Sequence, residues 1–180
     1  GLLARSLWKY GDRHNFEIYT YMTESRVFYD QIQEWYIANS DHIHKYSSVK
    51  LELAEQIYAD QIDILVDLDS LTTSNMSAIM ALKPAPIQVT WLGWDASAVP
   101  TVDYFIADPY VLPENAQEYY QETIWRLPQT YLAVDGFEVS VPTITRADLA
   151  IPDDAIVYLG LQRGPKYNPH IAKLQLEILR

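Results

Sequence analysis

Cysteine is absent from this sequence, so no disulfide bond staples the fold. Basic residues are also few: 13 Lys and Arg stand against 24 Asp and Glu, which gives a formal net charge of −11. Such an acidic chain repels nucleic acid and anionic membranes unless a local basic patch reverses the field, and the sequence contains no such patch. A signal peptide and an apolar run of about 18 residues are absent as well. These absences predict a cytoplasmic protein with neither a nucleic-acid nor a membrane partner.

Hydrophobic residues make up 49% of the 180 positions, which is typical of a soluble globular protein with a sizeable core. The first residue is not Met, and the apolar residues Leu3, Leu7 and Trp8 already follow a helical spacing. At the other end, a helical pattern runs to Arg180 without a glycine cap. We therefore expect the chain to be a piece of a longer polypeptide, cut at both ends.

Short apolar runs alternate with helical patterns, which is typical of βαβ units around a mainly parallel sheet. The predicted strands cover residues 16–22, 62–68, 87–92, 104–107 and 155–160. Helical spacing predicts helices over 49–58 and 75–82. Ser48 and Ser74 are placed to cap them. The second helix should end at Lys83, because a residue that precedes a proline avoids the helical region.

The run 62–68 is nearly continuous in Ile, Leu and Val, which suits a strand that is buried on both faces. It should pair in parallel with 87–92 as two neighbouring central strands, since one short helix joins them. Over 129–154 the periodicity fades and prolines, a glycine and charges take over, which indicates a connection. Residues 155–180 then have the pattern of a strand, a polar loop and a helix.

Ligands of an open α/β sheet bind where the carboxyl ends of strands pass into loops, and the end of strand 87–92 carries unusual residues. Gly93 removes a side chain where a ligand could approach the backbone, and Trp94, Asp95 and Ser97 follow as stacking and hydrogen-bonding groups. On this interpretation Gly93 leaves space for a ligand beside the backbone, so a valine there would cost activity far more than stability. The alternative is that Gly93 marks a bulge and that both nearby tryptophans belong to the core.

A second unusual strand end precedes the polar loop that contains Gln162, Arg163 and Lys166. The next helix opens with Asn168 as a capping residue and Pro169 at the first helical position. A helix N-terminus carries free N–H groups and a partial positive charge, so Lys166 beside it predicts a seat for a diphosphate. The alternative is that the two basic residues are solvated loop residues.

Two further pairs of side chains could hold a metal ion. Asp67 and Asp69 could bind a divalent metal and a nucleotide diphosphate as a DxD motif, or they could cap the turn that follows. His42 and His44 would share one face of a short strand, but no third ligand follows at a recognisable spacing, so surface positions are favoured. The four histidines are dispersed without a nucleophile motif, so no Ser-His-Asp triad is predicted.

Four stretches between residues 63 and 169 resemble one family of enzymes, and the similarity extends over essentially the whole chain. They read DILVDLDSLT, ALKPAPIQVTWLGW, VDYFIADPYVLPENAQEYYQETIWRLPQTYLAVDGFEV and YLGLQRGPKYNP. Together they resemble the catalytic region of the SPINDLY-like, tetratricopeptide-repeat-containing O-linked N-acetylglucosamine transferases, most closely the bacterial members. The resemblance implies an α/β fold, a Rossmann-like parallel-sheet lobe of a GT-B glycosyltransferase. Residues 1–128 would form this first lobe, incomplete at its start, 129–154 a connection, and 155–180 the first strand and helix of the second, nucleotide-binding lobe.

The resemblance also implies an activity. Members of the family transfer N-acetylglucosamine from UDP-N-acetylglucosamine to Ser or Thr hydroxyls of proteins, with inversion of the anomeric carbon and without a metal or cofactor. Gln162 and Lys166 match UDP-contacting residues of the family, and Lys166 is the predicted catalytic residue because it would neutralise the leaving diphosphate. Leu92 and Gly93 match a cleft-facing pair beside the sugar. The parent chain is expected to carry tetratricopeptide repeats.

Several positions depart from the family pattern. Asp95 and Ser97 lie where the animal enzymes have a Pro-Gly-Thr run, and Tyr58 stands where they carry a His. Another cleft His is expected upstream of Gly1, and further nucleotide contacts beyond Arg180. The chain by itself is therefore expected to be inactive, and no catalytic base is assigned.

Two alternative functions stay open at this point. One is a metal-dependent nucleotide-sugar enzyme that uses Asp67 and Asp69. The other is a catalytically silent α/β module that binds proteins, which the 14 Tyr and 5 Trp residues would allow.

Overall fold

A computed structural model describes residues 2–23, 31–46, 51–72, 76–93, 95–134, 136 and 141–179 of the chain. The chain divides into two compact units, Gly1–Phe137 and Glu138–Arg180. All strands found in the described part belong to the first unit. Among the described residues, no helix is both long enough and apolar enough to cross a bilayer.

Helices and strands alternate along the earlier part of the first unit, as predicted, whereas its last three strands follow one another with no α-helix between them in the described residues. The helices and strands are α1 (Arg5–Tyr10), β1 (Tyr19–Met22), α2 (Gln31–Asn39), β2 (His42–Lys45), α3 (Leu51–Ala59), β3 (Ile64–Asp67), α4 (Met76–Ala81), β4 (Ile87–Thr90), β5 (Tyr104–Ala107) and β6 (Thr123–Arg126). Short 3₁₀ turns cover Leu2–Ala4, Ser70–Thr72 and Glu114–Tyr119. The proposed helix caps Ser48 and Ser74 lie outside the described residues.

The strands form two parallel sheets, β1-β2 and β3-β4-β5-β6. The prediction that β3 and β4 are parallel neighbours is confirmed, with Ile64 opposite Ile87 and Asp67 opposite Thr90. The expectation that β3 is a central strand buried on both faces is wrong. In the described sheet β3 lies at the edge, and Ile64 and Ile87 remain 50% and 40% exposed on the face that points away from α3 and α4.

The core of the first unit lies between β3, α3 and α4. On α3, Leu53, Ala54 and Ile57 are buried at helical spacing. They pack with Leu65 of β3, with α4, and with residues from the connections around β4; the whole cluster is Leu53, Ala54, Ile57, Leu65, Met76, Ile79, Met80, Ala85, Val99 and Val102. Burying each large aliphatic side chain of this kind stabilises the fold by roughly 1.5–3 kcal/mol.

A polar network ties the start of β4 to the start of β5. The helix α4 ends at Ala81, and Lys83 then takes a left-handed φ of 53° before Pro84. This turn brings Lys83 Nζ to both carboxylate oxygens of Asp103, at 2.8 and 2.6 Å. Buried Gln88 donates from Nε2 to the carbonyl oxygens of Met80 and Thr101. The network thus holds the amino ends of β4 and β5 together.

The second unit contains α5 (Pro169–Ile178), which a 3₁₀ turn over Gly164–Lys166 precedes. The predicted cap is confirmed, because Asn168 Oδ1 accepts a hydrogen bond from the backbone N–H of Ile171 at 2.9 Å. The predicted strand over 155–160 is wrong, since these residues have no regular secondary structure. A strand is defined by hydrogen bonds to a neighbouring strand, and no other strand lies in the described part of this unit.

Candidate functional site

A cavity of about 320 Å³ lies at the carboxyl ends of β4 and β5 in the first unit, where the sequence predicted a ligand site. Its lining combines apolar side chains, tyrosines and one carboxylate: Leu92, Gly93, Asp95, Phe105, Val111, Leu112, Tyr120 and Tyr131. Small-molecule pockets in proteins measure roughly 300–1,000 Å³, so the cavity is large enough for part of a ligand. It contains both residues of the predicted pair Leu92 and Gly93.

The backbone beside this cavity is strained. Leu92 has a φ of 71° and Ser70, on the neighbouring turn after β3, has a φ of 49°. Residues other than glycine avoid this region at a cost of roughly 1–3 kcal/mol each, and such residues concentrate at functional sites. The hydroxyls of Ser70 and Thr90 are also buried without a hydrogen-bond partner in the described part of the chain. Strain and unsatisfied polar groups thus mark the carboxyl ends of β3 and β4.

Gly93 is needed for a close approach between two backbone segments. A Cβ atom at this position would lie 2.3 Å from the carbonyl carbon and oxygen of Asp69 and 2.7 Å from Cβ of Ser70. The interpretation that a side chain here would project into ligand space is therefore wrong. Gly93 lines the cavity through its backbone and lets the turn after β3 pack against the end of β4.

Asp108 holds together the loops that form the far wall of the cavity. Its Oδ1 accepts hydrogen bonds from the backbone N–H groups of Tyr110 and Val111, and its Oδ2 accepts one from Tyr131, all at 2.8–2.9 Å. Burial alone would raise the pKa of Asp108, but these three N–H groups outweigh it and lower the pKa. Buried Trp91 then donates from Nε1 to the Tyr131 carbonyl oxygen at 2.7 Å, which confirms its position in the core.

The polar residues that follow Gly93 have separate roles. Asp95 lies at the cavity and accepts a hydrogen bond from the Tyr120 hydroxyl. Ser97 is buried and donates from its backbone N–H and its hydroxyl to Glu122 Oε1, so it supports the loop and does not face a ligand. Trp94 lies outside the described residues. Sequence reasoning did not select Tyr120 or Tyr131, because they come from loops distant in sequence and carry no motif.

Asp67 caps the turn after β3, which was the structural alternative to a metal-binding DxD motif. Its Oδ1 accepts hydrogen bonds from the backbone N–H groups of Asp69 and Ser70 at 3.0 and 3.1 Å. Burial raises the pKa of Asp67, and the two backbone hydrogen bonds offset part of that effect. Asp69 is exposed and its backbone closes the turn.

His42 and His44 lie on one face of β2, as predicted, and each stacks on a tyrosine of β1. The ring pairs are Tyr19 with His42 and Tyr21 with His44, with centroids 4.1 and 5.3 Å apart. Asp60, after α3, lies 3.0 Å from His44 Nε2 and accepts a 2.6 Å hydrogen bond from the Tyr21 hydroxyl. Burial, followed by the contact with Asp60, raises the pKa of Tyr21. These contacts join the two-stranded sheet to α3.

The part of the chain that the structure describes contains no group of three or more His, Cys, Asp or Glu side chains that could hold a metal ion.

In the second unit, Gln162 and Lys166 are exposed near the start of α5. Lys166 forms no ion pair with any other described residue, so its ammonium group is available to an anion. The helix terminus offers fewer donors than expected, because Pro169 has no N–H and the N–H of Ile171 is bound by Asn168. The exposed cations Arg163 and Lys166 of this loop are thus the groups beside α5 that can attract an anion.

A parallel α/β sheet with a cavity at the carboxyl ends of its strands is a Rossmann-like lobe, the unit from which GT-B glycosyltransferases are built. Comparison with known proteins identifies the family within this fold class. The chain belongs to glycosyl transferase family 41, whose family model matches residues 2–140.

Known relatives match over most of this chain. A probable UDP-N-acetylglucosamine–peptide N-acetylglucosaminyltransferase SPINDLY of Arabidopsis thaliana is 39% identical over 71% of it. The corresponding protein SEC of the same plant is 25% identical over 99% of it. A lysine-to-methionine mutant of the Thermobaculum terrenum O-GlcNAc transferase superposes with a TM-score of 0.68 at 31% identity and covers 72% of this chain. The chain spans only 14% and 19% of the two plant proteins and 25% of the solved structure.

Proposed function

We propose that this chain is part of an inverting glycosyltransferase that transfers N-acetylglucosamine from UDP-N-acetylglucosamine to Ser or Thr hydroxyls of proteins. The observation that carries the proposal is membership of glycosyl transferase family 41 by a lobe whose strand ends form a cavity of about 320 Å³. The names of the plant relatives state the same donor and a peptide acceptor. Leu92 and Gly93, which line the cavity, are the proposed sugar contacts in the first unit.

Lys166 is the proposed catalytic residue of the second unit, and Gln162 is a proposed UDP contact. Inverting transfer needs in-line attack on the anomeric carbon, a route for the acceptor proton and stabilisation of the departing UDP. The Lys166 ammonium has no ion pair among the described residues, which suits stabilisation of the departing UDP. By analogy with preorganised donors at developing oxyanions, one such contact is worth roughly 2–4 kcal/mol in the transition state.

We propose that the reaction proceeds without a metal ion or cofactor. Support comes from Asp67, the buried member of the DxD sequence, whose Oδ1 is already bound by two backbone N–H groups. A transfer assay of the full-length protein with added manganese, and with a chelator, separates this proposal from the metal-dependent alternative. Equal rates support it, and a rate that rises with manganese and vanishes with the chelator contradicts it.

Transfer itself is tested with the full-length protein that carries this chain. The protein is incubated with UDP-N-acetylglucosamine and a Ser-containing peptide, and with GDP-fucose in a parallel sample, and the mass of the peptide is followed. Addition of N-acetylhexosamine supports the proposal. Addition of fucose would correct the donor, and no addition from either donor, together with no UDP binding, would favour a silent interaction module.

The surroundings of the enzyme are proposed from the resemblance alone. We propose that the full-length protein is bacterial, carries tetratricopeptide repeats and acts in the cytoplasm. The gene sequence on both sides of this segment tests the repeats and the source directly, and fractionation of the host cells tests the location.

A further inference from the structure

The cavity in the first unit has the chemistry of a cation-binding site. None of the described lining residues is Lys or Arg, and Asp95 is the charged side chain among them. Three aromatic residues, Phe105, Tyr120 and Tyr131, belong to the lining. Aromatic faces and a carboxylate attract a guanidinium or ammonium group, whereas they repel a diphosphate.

Asp95 keeps part of its carboxylate available. Its Oδ1 accepts hydrogen bonds from the Tyr120 hydroxyl and from the backbone N–H of Ala96. Its Oδ2 has no partner among the described residues, and the side chain is exposed. Burial, and then the contact with Asp95, raises the pKa of Tyr120, so the tyrosine remains a neutral donor that orients the carboxylate.

A second carboxylate adds negative potential behind the wall. Asp108 binds the backbone of the lining residues Val111 and Tyr131, and its lowered pKa keeps it ionised at neutral pH. Arg126 is not a lining residue either, and it donates to the carbonyl oxygens of the lining residue Leu112 and of Pro113, so its charge offsets part of the potential of Asp108 and leaves Asp95 as the charged group in the lining itself.

We propose that Asp95 and the tyrosines of this cavity bind an Arg or Lys side chain of the acceptor protein, close in sequence to the Ser or Thr that receives the sugar, while Leu92 and Gly93 of the same lining remain the proposed sugar contacts. The proposal rests on the proposed transferase function for the identity of the partner. The cation would form a charge-assisted hydrogen bond with Asp95 Oδ2 and pack against the rings of Tyr120 and Tyr131. Acceptors with a basic residue near the target hydroxyl are then preferred over otherwise identical neutral ones.

Binding of two peptides to the full-length protein tests the proposal without any turnover. One peptide carries Ser and Arg, and the other carries citrulline, which has nearly the same shape and no charge, in place of Arg. We expect calorimetry to show about fivefold to tenfold tighter binding of the Arg peptide to the wild type. Asp95→Asn should reduce this ratio to about twofold or less, Asp95→Glu should retain part of it, and Glu55→Gln, an exposed control on α3, should leave it unchanged.

Equal affinity for the two peptides in the wild type, or an Arg preference that persists in a folded Asp95→Asn variant, would overturn the proposal. Transfer from UDP-N-acetylglucosamine is measured separately with the neutral peptide. An Arg preference that depends on Asp95 in a protein without transferase activity would support the cation site and contradict the proposed function. Transfer without any Arg preference would support the proposed function and contradict the cation site.

Discussion

Leu92 and Gly93 are adjacent residues with opposite constraints. Leu92 has the left-handed φ of 71° that glycine tolerates best, whereas Gly93 has no such φ and is required for space. The protein thus places the large side chain on the strained residue at the cavity and the missing side chain against the Asp69 backbone. Both residues line the cavity, and Gly93 also allows the close packing of two backbone segments.

Gly93→Ala should destabilise the first unit even though the added group is one methyl. Its Cβ would approach backbone atoms of Asp69 at 2.3 Å, so the turn after β3 must shift, at a cost of about 1–3 kcal/mol. Thermal or urea unfolding measures the loss. Gly164→Ala is the matched control, because a Cβ there meets no atom within 4 Å. Equal stability of Gly93→Ala and wild type would show that the turn has room to adapt.

The Lys83–Asp103 pair should make stability depend on pH in the acid range. Burial alone would raise the pKa of Asp103, but the hydrogen bonds and charge of Lys83 and the Gln88 N–H lower it. Because the folded-state pKa lies below the unfolded one, the stabilisation is complete above the ordinary Asp pKa of about 3.9 and disappears as pH falls through the folded value.

Thermal melting of wild type and Asp103→Asn between neutral pH and about pH 3 checks this pH dependence. The lower limit lies below the ordinary Asp pKa of about 3.9, where the stabilisation should begin to disappear. Wild type should melt at a higher temperature at neutral pH, and the difference should shrink as the solution is acidified. A difference that grows on acidification would mean that Asp103 is not held ionised by Lys83.

At the scale of elements, α3 and α4 carry the core against β3. Leu53 is fully buried on α3, whereas Leu51 on the same helix is 59% exposed. Leu53→Ala should therefore lower the free energy of unfolding by about 2–5 kcal/mol, and Leu51→Ala by about 0.5 kcal/mol or less. Urea unfolding of the two variants measures both values. Similar losses for the two would place the core elsewhere.

The apolar patterns predicted the elements whose own sequence shows which face is buried. β5 matches its predicted range, α3 and α4 lie within one or two residues of theirs, and Asn168 caps α5 as expected. β6 and α2 were not predicted; β6 alternates between exposed and partly buried residues, and α2 buries one residue, Tyr36. The strand over 155–160 was predicted from an apolar run that has no partner strand in the described part.

The candidate site was predictable in position but not in composition. The rule for strand ends located Leu92 and Gly93, and Asp95 follows them directly in the sequence. Tyr120 and Tyr131 reach the same cavity only through loop geometry, which the Asp108 and Trp91 hydrogen bonds fix. The packing role of Gly93 also depends on a tertiary contact that no local pattern contains.

For the whole molecule, membership of glycosyl transferase family 41 and the Rossmann-like lobe are established, and the resemblance drawn from the sequence is confirmed in both respects. The chain spans 14–25% of the relatives compared with it, and the proposed transfer is therefore assigned to the full-length protein. Within this chain, the one lysine beside the α5 cap carries the proposed chemical role.

Steady-state kinetics of the full-length protein with Lys166→Ala and Arg163→Ala tests the transferase assignment most directly. Lys166→Ala should lower kcat/KM for UDP-N-acetylglucosamine by roughly a hundredfold or more, the size of one lost charged contact to the leaving group. Arg163→Ala, three residues away in the same exposed loop, should have a much smaller effect, and calorimetry with UDP should show weaker binding only for Lys166→Ala. Turnover and UDP affinity equal to wild type in a folded Lys166→Ala variant would contradict the assignment.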